Sequence, residues 1–199
     1  MKINKINTAQ MNTTNSNSIE STTTPQEDCS ARSIHICEQI SPPLAHRVVM
    51  QLLQYEAEKP HTPIHMYIFS PGGCIPSGLA IVDAMLHISS PVFTYTIGYA
   101  ASMGAVILAA GEQGHRYILP HSRVMIHQAS SNLGGTIENV RATLAHHCEL
   151  ASETESLLAR FTKRSTEEIK QASTVDNWLP APAAVEFGLV DFILDSYSK

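Results

Sequence analysis

The chain has 199 residues, enough for one or two domains. Charged residues make up 16% of it and the formal net charge is −5, with no basic stripe, which excludes a typical nucleic-acid-binding protein. The charged fraction is low for a soluble monomer, so we expect extensive buried or subunit-facing surface.

The N-terminal segment differs in composition from the rest of the chain. Residues 1–28 are rich in Asn, Thr and Ser and lack hydrophobic periodicity. Such a segment cannot bury enough apolar surface to order itself, which predicts a disordered tail or a removed propeptide. It lacks the apolar stretch that a secretory signal peptide requires. We therefore expect one folded domain over residues 29–199.

The next part of the chain alternates between strand and helix patterns. A strand is predicted at Ser33–Cys37, a helix at Pro43–Lys59, a buried strand at Ile64–Phe69 and a helix at Ser77–His87. The second strand leads into the turn Ser70-Pro-Gly-Gly73. This alternation predicts an α/β fold with parallel strands and right-handed crossovers.

A serine follows at a strand-to-helix turn. The apolar strand Val92–Ile97 runs into Gly98, and the small-residue stretch Ala100–Ala110 is predicted as helical. Ser102 thereby lies near the positive end of a helix, where backbone N–H groups lack partners. This position suits a nucleophile whose reaction develops an oxyanion. A helix N-cap is the alternative role for such a serine.

Two later segments add candidate catalytic groups. His127 ends the short strand Val124–Ile126, which suits a general base whose backbone is fixed by a sheet. Asp176 lies in a polar segment before the predicted helix Pro182–Phe187, and alone it is equally typical of a turn. Together with Ser102 they supply a nucleophile, a base and an orienting carboxylate.

A long helix is predicted from Thr136 to about Thr162. Its apolar stripe is mixed with charged residues, so it could be a surface helix that packs on its own domain. The adjacent His146 and His147 point in different directions from a helix and make a poor metal pair. Ser165 and Glu168 form a capping-box pattern for the following helix.

The remaining composition predicts no metal, disulfide or membrane span. The four cysteines lack C-x-x-C spacing, which indicates neither a zinc site nor a disulfide framework and fits a reducing cytoplasm. No stretch is long and apolar enough to span a membrane. The phosphate-loop pattern G-x-x-x-x-G-K-[ST] is missing from the sequence, and we expect no cofactor.

Four motifs resemble those of the ClpP peptidases, the proteolytic subunits of the Clp protease. Ala101-Ser-Met-Gly-Ala105 is similar to their nucleophile motif, and Ser122-Arg-Val-Met-Ile-His-Gln128 to their histidine motif. Ser70-Pro-Gly-Gly73 resembles their oxyanion loop, and Ala183–Asp191 their C-terminal helix and strand. The resemblance covers about Arg32 to Leu194.

The resemblance implies a fold and a set of site residues. The fold would be the crotonase-like spiral of ββα units, with a protruding helix-strand handle at about residues 129–162. Ser102, His127 and Asp176 would be the catalytic triad of a serine endopeptidase. The backbone N–H groups of Gly73 and Met103 would form the oxyanion hole.

The resemblance also implies partners. The chain would assemble into a tetradecamer of two stacked heptameric rings that encloses a chamber in the cytoplasm. Unfolded polypeptides would be the substrates, fed by an ATP-driven AAA+ unfoldase. His65 and Tyr67 occupy the places of two tyrosines in the surface pocket that docks the unfoldase.

Two alternatives stay open on the sequence alone. Val175 stands where many ClpP subunits have an arginine that links the rings. The chain could therefore be a structural or regulatory ring partner with little independent activity, working with a second ClpP subunit. An acyl-CoA enzyme of the crotonase type is the other alternative, since an oxyanion pocket also serves enolates.

Overall fold

The computed structural model describes residues 32–194, so the tail predicted at residues 1–28 lies outside the described residues. The strands are β1 (Ser33–Ile36), β2 (Ile64–Ser70), β3 (Val92–Ala101), β4 (Arg116–Ile118), β5 (Arg123–Ile126), β6 (Asn177–Pro180) and β7 (Phe192–Ile193). The helices are α1 (Pro42–Glu58), α2 (Ile75–His87), α3 (Met103–Ala109), α4 (Ile137–Thr162), α5 (Thr166–Ala172) and α6 (Ala181–Phe187).

Parallel strands form the main path of the sheet, in the order β1-β2-β3-β4-β7. The fifth strand also pairs in parallel with β3, and β6 pairs antiparallel with β5. Helices connect most of the parallel strands, which confirms the α/β fold predicted from the alternating pattern.

The core lies on one face of this sheet. In β2 the side chains of Ile64, Met66 and Ile68 are fully buried, while the intervening residues face the opposite side. All residues of α3 are buried, so this helix is held firmly at the end of β3. Each large aliphatic side chain buried in this way stabilises the fold by about 1.5–3 kcal/mol.

The opposite face carries a row of five rings, which we call the aromatic ladder. The strand register places one ring on each of β1, β2, β3, β4 and β7 in lateral succession. The ring centroids are 5.2, 4.8, 5.0 and 6.0 Å apart along the row. Such cross-strand aromatic pairs stabilise a sheet. The members are His35, Tyr67, Tyr95, Tyr117 and Phe192.

Two sequence predictions at the end of β3 were wrong, and the strand β6 was not predicted. The strand predicted to end at Ile97 continues to Ala101, and the helix predicted from Ala100 begins at Met103. The reason is pairing of the end of β3 with β5, which outweighs the helix propensity of the alanines. The segment after Asp176 forms β6 before the short helix, because it pairs with β5.

A buried ion pair ties the C-terminal part to the core. Arg116 on β4 is 4% exposed, and its Nη2 and Nε donate to the Asp191 carboxylate at 2.6 and 2.9 Å. Its Nη1 donates to the carbonyls of Ala109 and Phe161. One guanidinium therefore joins α3, α4 and the segment before β7.

We expect Asp191→Asn to lower the free energy of unfolding by about 3 kcal/mol, because it leaves a buried guanidinium without its counter-charge. The measurement is chemical denaturation followed by circular dichroism. Glu138→Gln breaks the exposed pair with Arg141 and serves as the control, with an expected change below about 1 kcal/mol.

The same pair predicts a pH dependence. Burial alone raises the pKa of Asp191, but the hydrogen bonds and charge of Arg116 and the Gly114 N–H together lower the pKa below its usual value. The stabilisation is therefore complete above the unfolded-state pKa, about 3.9, and is lost as the pH falls through the lower folded-state value. Equal acid sensitivity of the native chain and the Asn variant would contradict this assignment.

Candidate active site

Ser102 is the single residue between β3 and α3. Its backbone has φ 54° and ψ −122°, a conformation that L-residues rarely adopt. Its N–H donates to the Met125 carbonyl at 2.9 Å, and its own carbonyl accepts from the Ala105 N–H at 2.9 Å. The side chain makes no capping hydrogen bond to α3, so the N-cap alternative is not supported. Strained backbone held by its surroundings in this way is concentrated at functional sites.

His127 follows directly after β5. Because β5 pairs with the end of β3, in the register Ala101 to Met125, the two strand ends bring His127 next to Ser102. Both residues line one pocket, which we call the Ser102 pocket. Within residues 32–194, Ser102 makes no hydrogen bond to His127. Hydrogen bonds between a nucleophile and its general base often tighten only when substrate is bound.

Asp176 reaches His127 because β6 lies antiparallel to β5, with Asn177 opposite Ile126. The His127 Nδ1 and Asp176 Oδ1 atoms are 3.0 Å apart. An ionised carboxylate only accepts hydrogen bonds, so Nδ1 is the donor in this contact, and in a neutral imidazole Nε2 is then the acceptor. The Gln128 N–H also donates to the Ser173 carbonyl at 2.8 Å, which anchors this segment.

Two backbone hydrogen bonds to Ile40 hold the Ser70–Gly73 turn in place. The Ile40 N–H donates to the Gly72 carbonyl at 2.8 Å, and the Cys74 N–H donates to the Ile40 carbonyl at 2.9 Å. These bonds fix Gly73, which lies between them with φ +150°. The Met103 N–H is the first amide of α3, a position without an intrahelical acceptor.

Gly72 is a site residue that the sequence analysis did not single out. A Cβ at this position would lie 2.6 Å from both the Ser102 Cβ and the Ala101 carbonyl oxygen, and 3.0 Å from the Met103 nitrogen. Only glycine therefore lets the turn approach Ser102 this closely. The Pro-Gly-Gly pattern in the sequence predicts a tight turn. It does not predict which of the two glycines packs against Ser102.

Helix α4 supplies another part of the Ser102 pocket that the sequence did not predict. Its apolar stripe was recognised, but not the polar residues that share the wall of the pocket. The pocket is lined by Ile75, Ser102, Met103, Val106, Ile126, His127, Gln128, Ala129, Ala151, Thr154, Glu155, Leu158 and Ser173.

Metal and membrane features were searched over the same part of the chain. Residues 32–194 contain no group of three or more His, Cys, Asp or Glu side chains that could hold a metal ion, and His146 and His147 are adjacent rings on α4. None of the helices described is both long and apolar enough to cross a membrane.

Comparisons with known proteins show the family of the chain. A family model described as Clp protease matches residues 17–197. The ATP-dependent Clp protease proteolytic subunit 2 of Chlamydia trachomatis serovar D is 42% identical over 165 residues, 83% of this chain and 81% of the relative. Proteolytic subunit 1 of Corynebacterium jeikeium is 38% identical, over 83% of this chain and 88% of the relative. With its mixed α/β fold and parallel sheet, the chain belongs to the Clp protease family.

Proposed function

We propose that this chain is a serine endopeptidase that cleaves unfolded polypeptides, with Ser102 as nucleophile, His127 as general base and Asp176 as orienting carboxylate. The observation that carries the proposal is the 3.0 Å contact between His127 and Asp176 beside the strained turn of Ser102. The family membership and the names of the relatives support peptidase chemistry.

The reaction follows from the arrangement of these groups. The Ser102 Oγ attacks a peptide carbonyl carbon while His127 Nε2 takes its proton, and Asp176 stabilises the resulting imidazolium. The N–H groups of Gly73 and Met103 stabilise the oxyanion of the tetrahedral intermediate. His127 then gives the proton to the leaving amine, and an acyl-enzyme remains. A water molecule, deprotonated by His127, releases the second product and restores Ser102.

Labelling with a fluorophosphonate tests the assignment directly, because this reagent phosphonylates activated serine hydroxyls. We expect mass spectrometry of the digested protein to locate the label on Ser102, and Ser102→Ala to remain unlabelled. Labelling of another serine in both proteins would overturn the assignment of the nucleophile.

We further propose that the chain works in stacked heptameric rings that receive substrate from an AAA+ unfoldase. The relatives are named as ATP-dependent proteolytic subunits, and this sequence carries no phosphate-loop pattern of its own. The aromatic ladder supports a protein contact, because large apolar patches on a surface mark interaction sites. Phe192 at one end of it is 53% exposed in the single chain.

Tyr67 lies inside the aromatic ladder. If the ladder docks the unfoldase, a change at Tyr67 should affect unfoldase-dependent protein degradation and not the cleavage of short peptides. We expect Tyr67→Ala to raise the unfoldase concentration needed for half-maximal protein degradation by roughly 30-fold, the loss typical of an aromatic interface anchor. Cleavage of a short peptide should change less than about twofold. Tyr67→Phe keeps the ring and should behave like the native chain. Equal losses in both assays would contradict a docking role.

A second candidate function is a subunit that is active only with a partner ring. The single chain lacks a hydrogen bond between Ser102 and His127 within the described residues, and relatives numbered as subunits 1 and 2 both match it. Native mass and peptidase activity, measured alone and after mixing with a second Clp proteolytic subunit, separate the two functions. An active homo-oligomer would exclude this candidate. The acyl-CoA alternative gains no support from the family membership.

A further inference from the structure

We propose that Glu155 makes the Ser102 pocket selective for a cationic side chain, lysine or arginine, on the substrate residue whose carbonyl Ser102 attacks. The inference rests on the proposed peptidase function and names the substrate class of the same site. It depends on the position of Glu155 in the wall of that pocket.

The walls of the pocket suit an aliphatic stem. Met103 and Val106 on α3, Ile126 at the end of β5 and Leu158 on α4 line it, and each is buried, at most 6% exposed. Methylene groups of a substrate side chain that enters beside Ser102 would replace water against these surfaces, which is favourable.

The polar groups that α4 contributes are hydrogen-bond acceptors. The Thr154 hydroxyl donates to the Ala151 carbonyl at 2.8 Å, so only its lone pairs remain for a ligand. The Glu155 side chain is half-buried and makes no hydrogen bond or ion pair within residues 32–194. The other ionisable residue of the pocket is His127, whose Nδ1 is already bonded to Asp176.

The pocket thus combines apolar walls with one carboxylate that has no partner among the described residues. An aliphatic substrate side chain would partly desolvate Glu155 without giving it a hydrogen bond, which is unfavourable. A lysine or arginine side chain places its methylenes on the walls and its charged end on the carboxylate. The serine-protease template uses the same principle, since an aspartate in the specificity pocket selects basic residues.

The test compares peptides that differ only in the residue before the cleaved bond. Lysine, norleucine and glutamate at that position, each followed by a fluorogenic leaving group, are assayed with the full-length protein in its assembled ring. We expect kcat/KM for the lysine peptide to exceed that for norleucine by about tenfold to a hundredfold, the range of a charge-assisted hydrogen bond. The glutamate peptide should be the poorest.

Two variants test whether Glu155 causes the preference for lysine. Glu155→Gln should lower kcat/KM for the lysine peptide by about tenfold or more and abolish the preference for lysine over norleucine. Glu153→Gln makes the same charge change at an exposed position of α4 outside the pocket, and should leave the preference unchanged. Added salt should weaken the preference of the native chain for lysine over norleucine, and should have little effect on the Glu155→Gln variant.

The outcomes separate this inference from the proposed function. If the peptides are cleaved and Ser102 is labelled, but lysine has no advantage or Glu155→Gln does not reduce it, the specificity role is wrong and the peptidase function stands. If Ser102 cannot be labelled and no peptide is cleaved by the assembled ring, both are wrong.

Discussion

Replacing Ser102 with alanine is expected to lower peptide turnover by about a million-fold, the loss seen when a triad nucleophile is removed. The Ser102 hydroxyl forms the acyl-enzyme bond, and the alanine variant has no group at this position that can form it. The turn should persist, because its bonds to Met125 and Ala105 are made by the backbone of residue 102. The measurement is the initial rate of cleavage of a fluorogenic peptide.

The control for this variant is Ser156→Ala. The Ser156 hydroxyl is exposed on α4 and donates to the Ser152 carbonyl. It lies outside the Ser102 pocket, so we expect activity within about twofold of the native chain. Native mass and circular dichroism check that each variant folds and assembles. Substantial turnover by a folded Ser102→Ala protein would show that the nucleophile is another residue.

Asp176→Asn is expected to lower kcat by about ten-thousand-fold with a smaller effect on KM. The amide of asparagine can donate to His127 Nδ1, which favours the tautomer with hydrogen on Nε2. In that tautomer the ring cannot take the proton of Ser102. The native arrangement depends on the 3.0 Å contact between Nδ1 and the carboxylate. Steady-state kinetics with the same fluorogenic peptide measures the change.

Asp83→Asn is the matched control for this loss. Asp83 is an exposed carboxylate on α2 and lies outside the Ser102 pocket. We expect it to retain native kcat. A loss of less than tenfold for Asp176→Asn in an assembled, folded protein would mean that another group orients His127.

Local signals predicted much of the fold. Helix α4 begins and ends within one residue of the prediction, and the capping box of Ser165 and Glu168 is formed as predicted. The buried strand predicted at Ile64–Phe69, before the Ser-Pro-Gly-Gly turn, is present as β2. These features depend on residues a few positions apart, whose spacing is visible in the chain itself.

The candidate site is brought together by pairing between strands that are far apart along the chain. The sequence named Ser102, His127 and Asp176 as candidates, and the register of β5 with β3 and β6 is what places them together. Strand β6 was missed because its four residues have little pattern of their own and owe their conformation to β5. The register pair of Ile126 with Asn177 joins residues that are far apart along the chain.

By itself the sequence determined the α/β class, the candidate triad and the resemblance to the ClpP peptidases. These follow from hydrophobic spacing and from the order of motifs, both of which can be seen along the chain. Only the tertiary structure decided that Gly72 abuts Ser102, that five rings form the aromatic ladder, and that Glu155 lines the Ser102 pocket. The spacing of residues in a helix predicts which side chains share a face. Which of these side chains line a pocket depends on the elements that pack against that face.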